Sequence, residues 1–183
     1  MNRNNTGNRY GTWSIGMHWL MLALLIGVYA CIELRGFFPK GSDIREALKV
    51  WHFMLGLGVF GLVFVRLAIR VATPPPRMAQ IPAWQRRLAG VMHLLLYAFL
   101  VLMPMLGWLL LSAAGKPIPF FGLELPPLVG PDKAFAGTVK EIHETIGTIG
   151  YYLVGIHAVA ALYHHYVMHD DTLLRMLPRR ANT

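Results

Sequence analysis

The chain has 183 residues, of which 55% are hydrophobic and only 14% are charged, and its mean hydropathy is +0.46. Soluble domains usually carry about a quarter charged residues, so this composition favours a membrane protein. The net charge of +8 is also typical of some nucleic-acid-binding proteins. Membrane topology accounts for that charge, as described below, and we expect no nucleic-acid partner.

Four apolar blocks are each long enough to cross a bilayer as a helix of about 20 residues. They cover about residues 14–34, 50–69, 88–112 and 143–168. A proline run after Thr73 stops the second block, and Pro104 should kink the third. The chain shows no internal repeat and no second domain. The pattern predicts an all-α membrane protein, a four-helix transmembrane bundle that forms a single domain over residues 1–183.

Basic residues are distributed unequally between the two sides of the predicted membrane. The two ends of the chain and the connection between blocks two and three hold ten Lys/Arg and two acids. The opposite side holds seven Lys/Arg and seven acids. Because Lys/Arg are enriched in cytoplasmic segments, we expect a multi-pass protein of the bacterial inner membrane with both termini in the cytoplasm.

The histidines of the predicted spans lie at two depths. His143 and His157 are fourteen residues apart, which on one helix gives a rise of about 21 Å and returns both rings to one face. At the outer level His52 can pair with His143, whereas at the inner level either His18 or His93 can pair with His157. Histidine inside a membrane tends to be functional, and two such pairs could hold two haems, one above the other.

The residues around these histidines fit a flat iron-containing cofactor. Gly56 and Gly147 each follow an outer histidine by four residues, and Ala160 and Ala161 follow His157, so small side chains share the ligand faces. Two imidazoles would close the iron to other ligands, which favours electron transfer over oxygen chemistry. The chain has one cysteine and no Cys-x-x-Cys-His motif, so any haem is bound without a covalent link.

Three residues of the inner level are candidates for other roles. Arg66 lies fourteen residues after His52 and should therefore share its face, one level deeper, where it could pair with a haem propionate. Arg70, one turn further on, could do the same. His164 lies seven residues beyond His157 and could hydrogen-bond a quinone or give it a proton.

Six motifs in order and spacing resemble the bacterial cytochrome b-561 family, the small di-haem type of the inner membrane, over nearly the whole chain. They are SIGMHWL at 14–20, RGFFP at 35–39, IHET at 142–145, GIHAVAAL at 155–162, HHY at 164–166 and TLLRMLPR at 172–179.

The resemblance implies a four-helix bundle with two b haems, ligated by His52 with His143 and by His18 with His157 rather than with His93. A close family member is a superoxide:ubiquinone oxidoreductase, which oxidises superoxide at the periplasmic side and reduces ubiquinone in the membrane. The resemblance therefore implies superoxide, or another periplasmic electron donor, and ubiquinone as partners.

Cations near the outer haem edge would attract superoxide, which is a small anion. Lys49 and Lys140 each precede an outer histidine by three residues, and we expect them to contact superoxide or haem propionates. The outer side also holds five further cations, Arg35, Lys40, Arg45, Lys116 and Lys133.

Two alternative functions remain at this point. The chain could be a haem-bearing membrane anchor that passes electrons from a partner dehydrogenase or hydrogenase. It could instead be a histidine-lined metal transporter.

Overall fold

The computed structural model describes residues 9–73 and 82–178. Its four long helices are α1 (Thr12–Leu34), α2 (Asp43–Ala72), α3 (Ala83–Ala113) and α4 (Lys133–Tyr166). Short 3-10 helices cover Arg35–Phe37 and Leu174–Met176. The two-residue strands β1 (Pro119–Phe120) and β2 (Leu123–Glu124) pair antiparallel. The predicted four-helix, all-α architecture is confirmed.

All four helices have the length and apolar composition of membrane spans, and the mean hydropathy of their apolar stretches lies between 1.5 and 2.4. Their large apolar side chains point outward, as at Leu94 and Ile156, which are 67% and 57% exposed. This outward apolar surface suits a lipid environment. The chain is a multi-pass membrane protein.

Helices α2 and α4 begin before the predicted spans at polar N-caps, Ser42 and Asp132, which hydropathy does not register. Asp132 accepts hydrogen bonds at Oδ1 from the backbone N–H groups of Ala134 and Phe135, at 2.9 and 3.0 Å, so α4 begins ten residues before the predicted span at 143. At the other end the predicted span to residue 168 is too long, since α4 ends at Tyr166. The third helix runs through Pro104.

The helices alternate in direction, so the bundle has two distinct ends. The hairpin end holds β1, β2 and the surrounding segment 114–132, and it corresponds to the predicted outer side. The termini end holds the start of α1 and the C-terminal strap, residues 167–178. The indole of Trp19 donates to the carbonyl of Met176 at 2.7 Å, and Arg9 donates to the carbonyl of Leu174. These bonds tie the strap to α1.

The backbone of α4 packs closely against α3 but less closely against α1 and α2. The closely packed helix pairs are α1 with α2, α2 with α3, and α3 with α4. The buried side chains of α4 are small, namely Ala136, Val139 and Gly150. The fold therefore places a looser layer between α4 on one side and α1 and α2 on the other, which is where the predicted histidine pairs lie.

Candidate functional site

His52 of α2 and His143 of α4 face each other near the hairpin end. Their ring centroids lie 6.3 Å apart with an interplanar angle of 77°. His52 Nδ1 is 2.9 Å from the carbonyl oxygen of Val28, which can only accept a hydrogen bond. We therefore assign the proton to Nδ1, which leaves the Nε2 lone pair free for a metal. The His143 ring packs against α3 at Gly107, with Cε1 3.5 Å from the position that a Cβ would occupy there.

Near the termini end, three histidine rings converge. His157 of α4 lies 6.4 Å from His18 of α1 and 5.7 Å from His93 of α3, both measured between ring centroids. Both contacts have an interplanar angle of 66°. The tertiary structure thus places His157 beside both of the partners that the sequence had left as alternatives, His18 and His93.

These separations can be compared with the geometry of a shared metal. Two metal–nitrogen bonds of about 2.0 Å, in line with two imidazole rings, place the ring centroids about 6.3 Å apart. The His52–His143 and His18–His157 separations both match this value, whereas the His93–His157 separation is shorter. An added Cβ at Gly56 would meet nothing within 4 Å, so the face beside His52 has room for a flat group. The residues present fit a bis-imidazole metal centre at each level.

The space between the two levels is filled by aromatic side chains. Gly150 of α4 lies between His143 and His157 in sequence, and a Cβ there would overlap the Tyr29 hydroxyl and the Phe99 ring. Tyr29 donates a hydrogen bond to the carbonyl of Gly147 at 2.8 Å. Tyr29 and Phe99 therefore lie between the two levels, and their contacts hold α1 and α3 against α4 at mid-depth.

Arg66 reaches the termini-end histidines, as its spacing from His52 predicted. Its Nη2 is 3.0 Å from His18 Nδ1, and its Nε donates to the Tyr97 hydroxyl at 3.3 Å. The guanidinium groups of Arg66 and Arg70 each lie 5.8 Å from the centre of the Tyr97 ring. Both arginines line one small polar cavity together with Ser14 and other side chains. The cavity presents two cations beside the inner histidine cluster.

The two lysines predicted to contact superoxide have acidic partners on their own helices. Lys49 forms an ion pair with Glu46, and Lys140 Nζ lies 3.4 Å from Glu144 Oε1. Their positive charge is therefore partly balanced locally. The guanidinium of Arg35 is close enough to interact electrostatically with the His52 ring.

His164 lies at the termini end of α4 and contacts the strap. Its Nδ1 is 2.6 Å from Asp170 Oδ2, and the two side chains are 23% and 25% exposed. Burial alone would raise the pKa of Asp170, but hydrogen bonds from Thr172 and His164 hold that pKa below its ordinary value. The pair forms an imidazole–carboxylate dyad.

Sequence reasoning did not identify Asp170, Tyr97 or Gly150 as parts of this region. A His-Asp-Asp sequence just past the end of a span is a usable signal for Asp170, because a chain that turns back there returns the acid to the helix end. No local pattern distinguishes Tyr97 or Gly150 from other aromatic residues and glycines in the spans.

Comparison with known proteins gives a consistent result. The family model described as prokaryotic cytochrome b561 matches residues 9–179. The chain is 41% identical over 179 residues to "Cytochrome b561 homolog 1" of Escherichia coli strain K12, with 94% of this chain and 99% of the relative covered. It is 35% identical over 173 residues to "Probable superoxide oxidase CybB" of Yersinia pestis, with 94% and 97% covered.

Proposed function

The chain belongs to the prokaryotic cytochrome b561 family, a family of membrane electron-transfer proteins, and from that premise we propose that it moves electrons from superoxide to ubiquinone through two b haems. The proposal rests on one observation: at two depths along α4, a pair of histidine rings lies at a separation that fits two imidazoles on one metal. When bound, the haems supply one-electron transfer. The overall reaction converts two superoxide ions, one ubiquinone and two protons into two oxygen molecules and one ubiquinol.

We assign the ligands as His52 with His143 and His18 with His157. Helix α4 supplies one ligand to each site and therefore sets the spacing between them, about 21 Å along its axis. Because two imidazoles would close each site, the bound groups would supply electron transfer rather than oxygen binding or activation. His93 remains beside the inner site without a ligand role.

Arg66 and Arg70 are the proposed partners of the inner haem propionates. His18 would hold the iron as a neutral ring with its proton on Nδ1, and a guanidinium can only donate hydrogen bonds. In the haem-loaded protein Arg66 would therefore not bond to His18 Nδ1, and its planar fork would match a propionate carboxylate.

The hairpin end is proposed to face the periplasm and the termini end the cytoplasm of a bacterial inner membrane, following the bias in Lys/Arg. Superoxide would approach the hairpin end, where Arg35, Lys49 and Lys140 supply positive charge near the outer pair. Ubiquinone would bind near the termini end, where His164 can give a proton to a carbonyl oxygen.

The proposal is tested with purified, haem-loaded, oxidised protein mixed with an enzymatic source of superoxide, with and without a short-chain ubiquinone. We expect the haem absorption bands to reduce without quinone, and ubiquinol to form when it is added. Superoxide dismutase should abolish both signals. Bands that dithionite reduces but superoxide does not would overturn superoxide as the donor.

The same experiment separates the alternatives. An anchor subunit would reduce quinone only when a partner dehydrogenase supplies electrons. A metal transporter would show no Soret band, and among residues 9–73 and 82–178 no group of three or more His, Cys, Asp or Glu is placed to hold a metal ion.

A further inference from the structure

The turn after α4 brings an acid back to the helix it has just left. His169 adopts a left-handed backbone with φ of 54°, and the Asp170 N–H then donates to the carbonyl of His164 at 3.1 Å. Asp170 Oδ1 accepts from the Thr172 N–H at 2.8 Å, which orients the carboxylate. Its second oxygen is thereby directed at His164 Nδ1, 2.6 Å away. Both the backbone and the side chain of Asp170 are thus tied to His164.

We propose that Asp170 is a positioning residue that holds His164 as the proton donor to ubiquinone, an inference that rests on the function proposed above. A carboxylate can only accept, so it fixes the His164 proton on Nδ1 and leaves Nε2 as the atom available to exchange protons. The carboxylate also balances the charge of a doubly protonated ring, whose Nε2–H can be given to a quinone oxygen.

The proton balance of the step is simple. Ubiquinone takes two electrons and two protons on its way to ubiquinol, and each proton breaks one N–H bond at Nε2 and forms one O–H bond on the quinone. Water on the termini side returns a proton to Nε2 after each transfer. Asp170 stays ionised throughout and acts only through His164.

Other titratable or charged side chains lie on the segments that adjoin the dyad. They are Tyr163, His165 and Tyr166 on α4, His169, Asp171 and Arg175 in the strap, and Arg9 and Tyr10 before α1. Among the described residues, His164 forms its ion pair with Asp170. The Asp170 carboxylate is therefore the charge whose removal should alter His164 most.

The test compares Asp170→Asn with Asp171→Asn, which removes the same charge from the neighbouring position. Haem-loaded protein is pre-reduced, freed of reductant, mixed with ubiquinone across a range of pH, and followed by haem reoxidation. We expect Asp170→Asn to slow reoxidation about tenfold near neutral pH and to change the shape of the pH profile. Haem content and reduction by superoxide should remain as in the wild type. Asp170→Glu should recover part of the rate, whereas Asp171→Asn should match the wild type.

A second readout does not depend on turnover. Ring ¹⁵N NMR of histidine-labelled protein, with the His164 signal assigned by its loss in His164→Gln, should show a weaker preference of the His164 proton for Nδ1 in Asp170→Asn than in Asp171→Asn. Identical ring spectra and identical reoxidation profiles in the two variants would overturn the role of Asp170. A wild type that never reduces ubiquinone would instead overturn the proposed function, and the NMR spectra would still decide whether Asp170 controls His164.

Discussion

Replacing single histidines with alanine tests the ligand assignment most directly. The two levels lie about 21 Å apart along α4, so the loss of one ligand should empty one site and leave the other intact. We expect His52→Ala and His18→Ala each to reduce the haem content from about two to about one per chain. His93→Ala should retain both, because its ring lies 5.7 Å from that of His157, closer than two imidazoles that bind one metal from opposite sides.

The measurement is a pyridine haemochrome assay set against protein concentration, with optical redox titration to identify the haem that remains. His165→Ala is a matched control, since that ring makes an edge contact with Tyr166, 4.7 Å between centroids, rather than facing another histidine. The variants should retain their helical circular dichroism. Two haems in His18→Ala together with one haem in His93→Ala would refute the argument from ring separation and exchange the two roles.

Three further outcomes are expected. Gly150→Ala should destabilise the fold by about 1–3 kcal/mol through overpacking, which a lower thermal midpoint would show. Gly155→Ala, where a Cβ meets nothing within 4 Å, should be neutral or stabilising in the same melting experiment. Lys49→Gln combined with Lys140→Gln should slow haem reduction by superoxide about two- to fivefold at low salt in stopped-flow measurements, and an unchanged rate would exclude these lysines from attracting the anion. Because the pKa of Asp170 is lower in the folded state, Asp170 stabilises the fold above its unfolded pKa of about 4, and this stabilisation is lost as the pH falls through the folded pKa. The difference in thermal midpoint between wild type and Asp170→Asn should therefore shrink on acidification. A difference that grew would contradict a lowered pKa.

Much of the fold follows from local features of the sequence. The four spans follow from hydropathy, since a helix that crosses a bilayer needs about 20 apolar residues regardless of its neighbours. The helix ends were less predictable, as the early start of α4 at its Asp132 cap shows. Such caps depend on single polar side chains rather than on the average of a window.

The candidate site was predictable to different degrees at its two levels. At the hairpin end one pair of histidines was available, His52 with His143, and the structure brings them together. At the termini end the depth of His18 and His93 is the same, and sequence depth cannot decide which ring is placed to share a metal with His157. That depends on how α1 and α3 are rotated about their own axes, which is set by packing among all four helices.

The amino-acid sequence by itself determined how many times the chain crosses a membrane and at which depths its histidines lie, because hydropathy and the helical rise per residue are properties of single segments. Only the tertiary structure decided which rings stand 6.4 and 5.7 Å from His157, which aromatic side chains occupy the space at Gly150, and which acid meets His164. Those contacts join residues from different helices or lie across a left-handed turn, and the free energy that selects them comes from packing of the whole bundle.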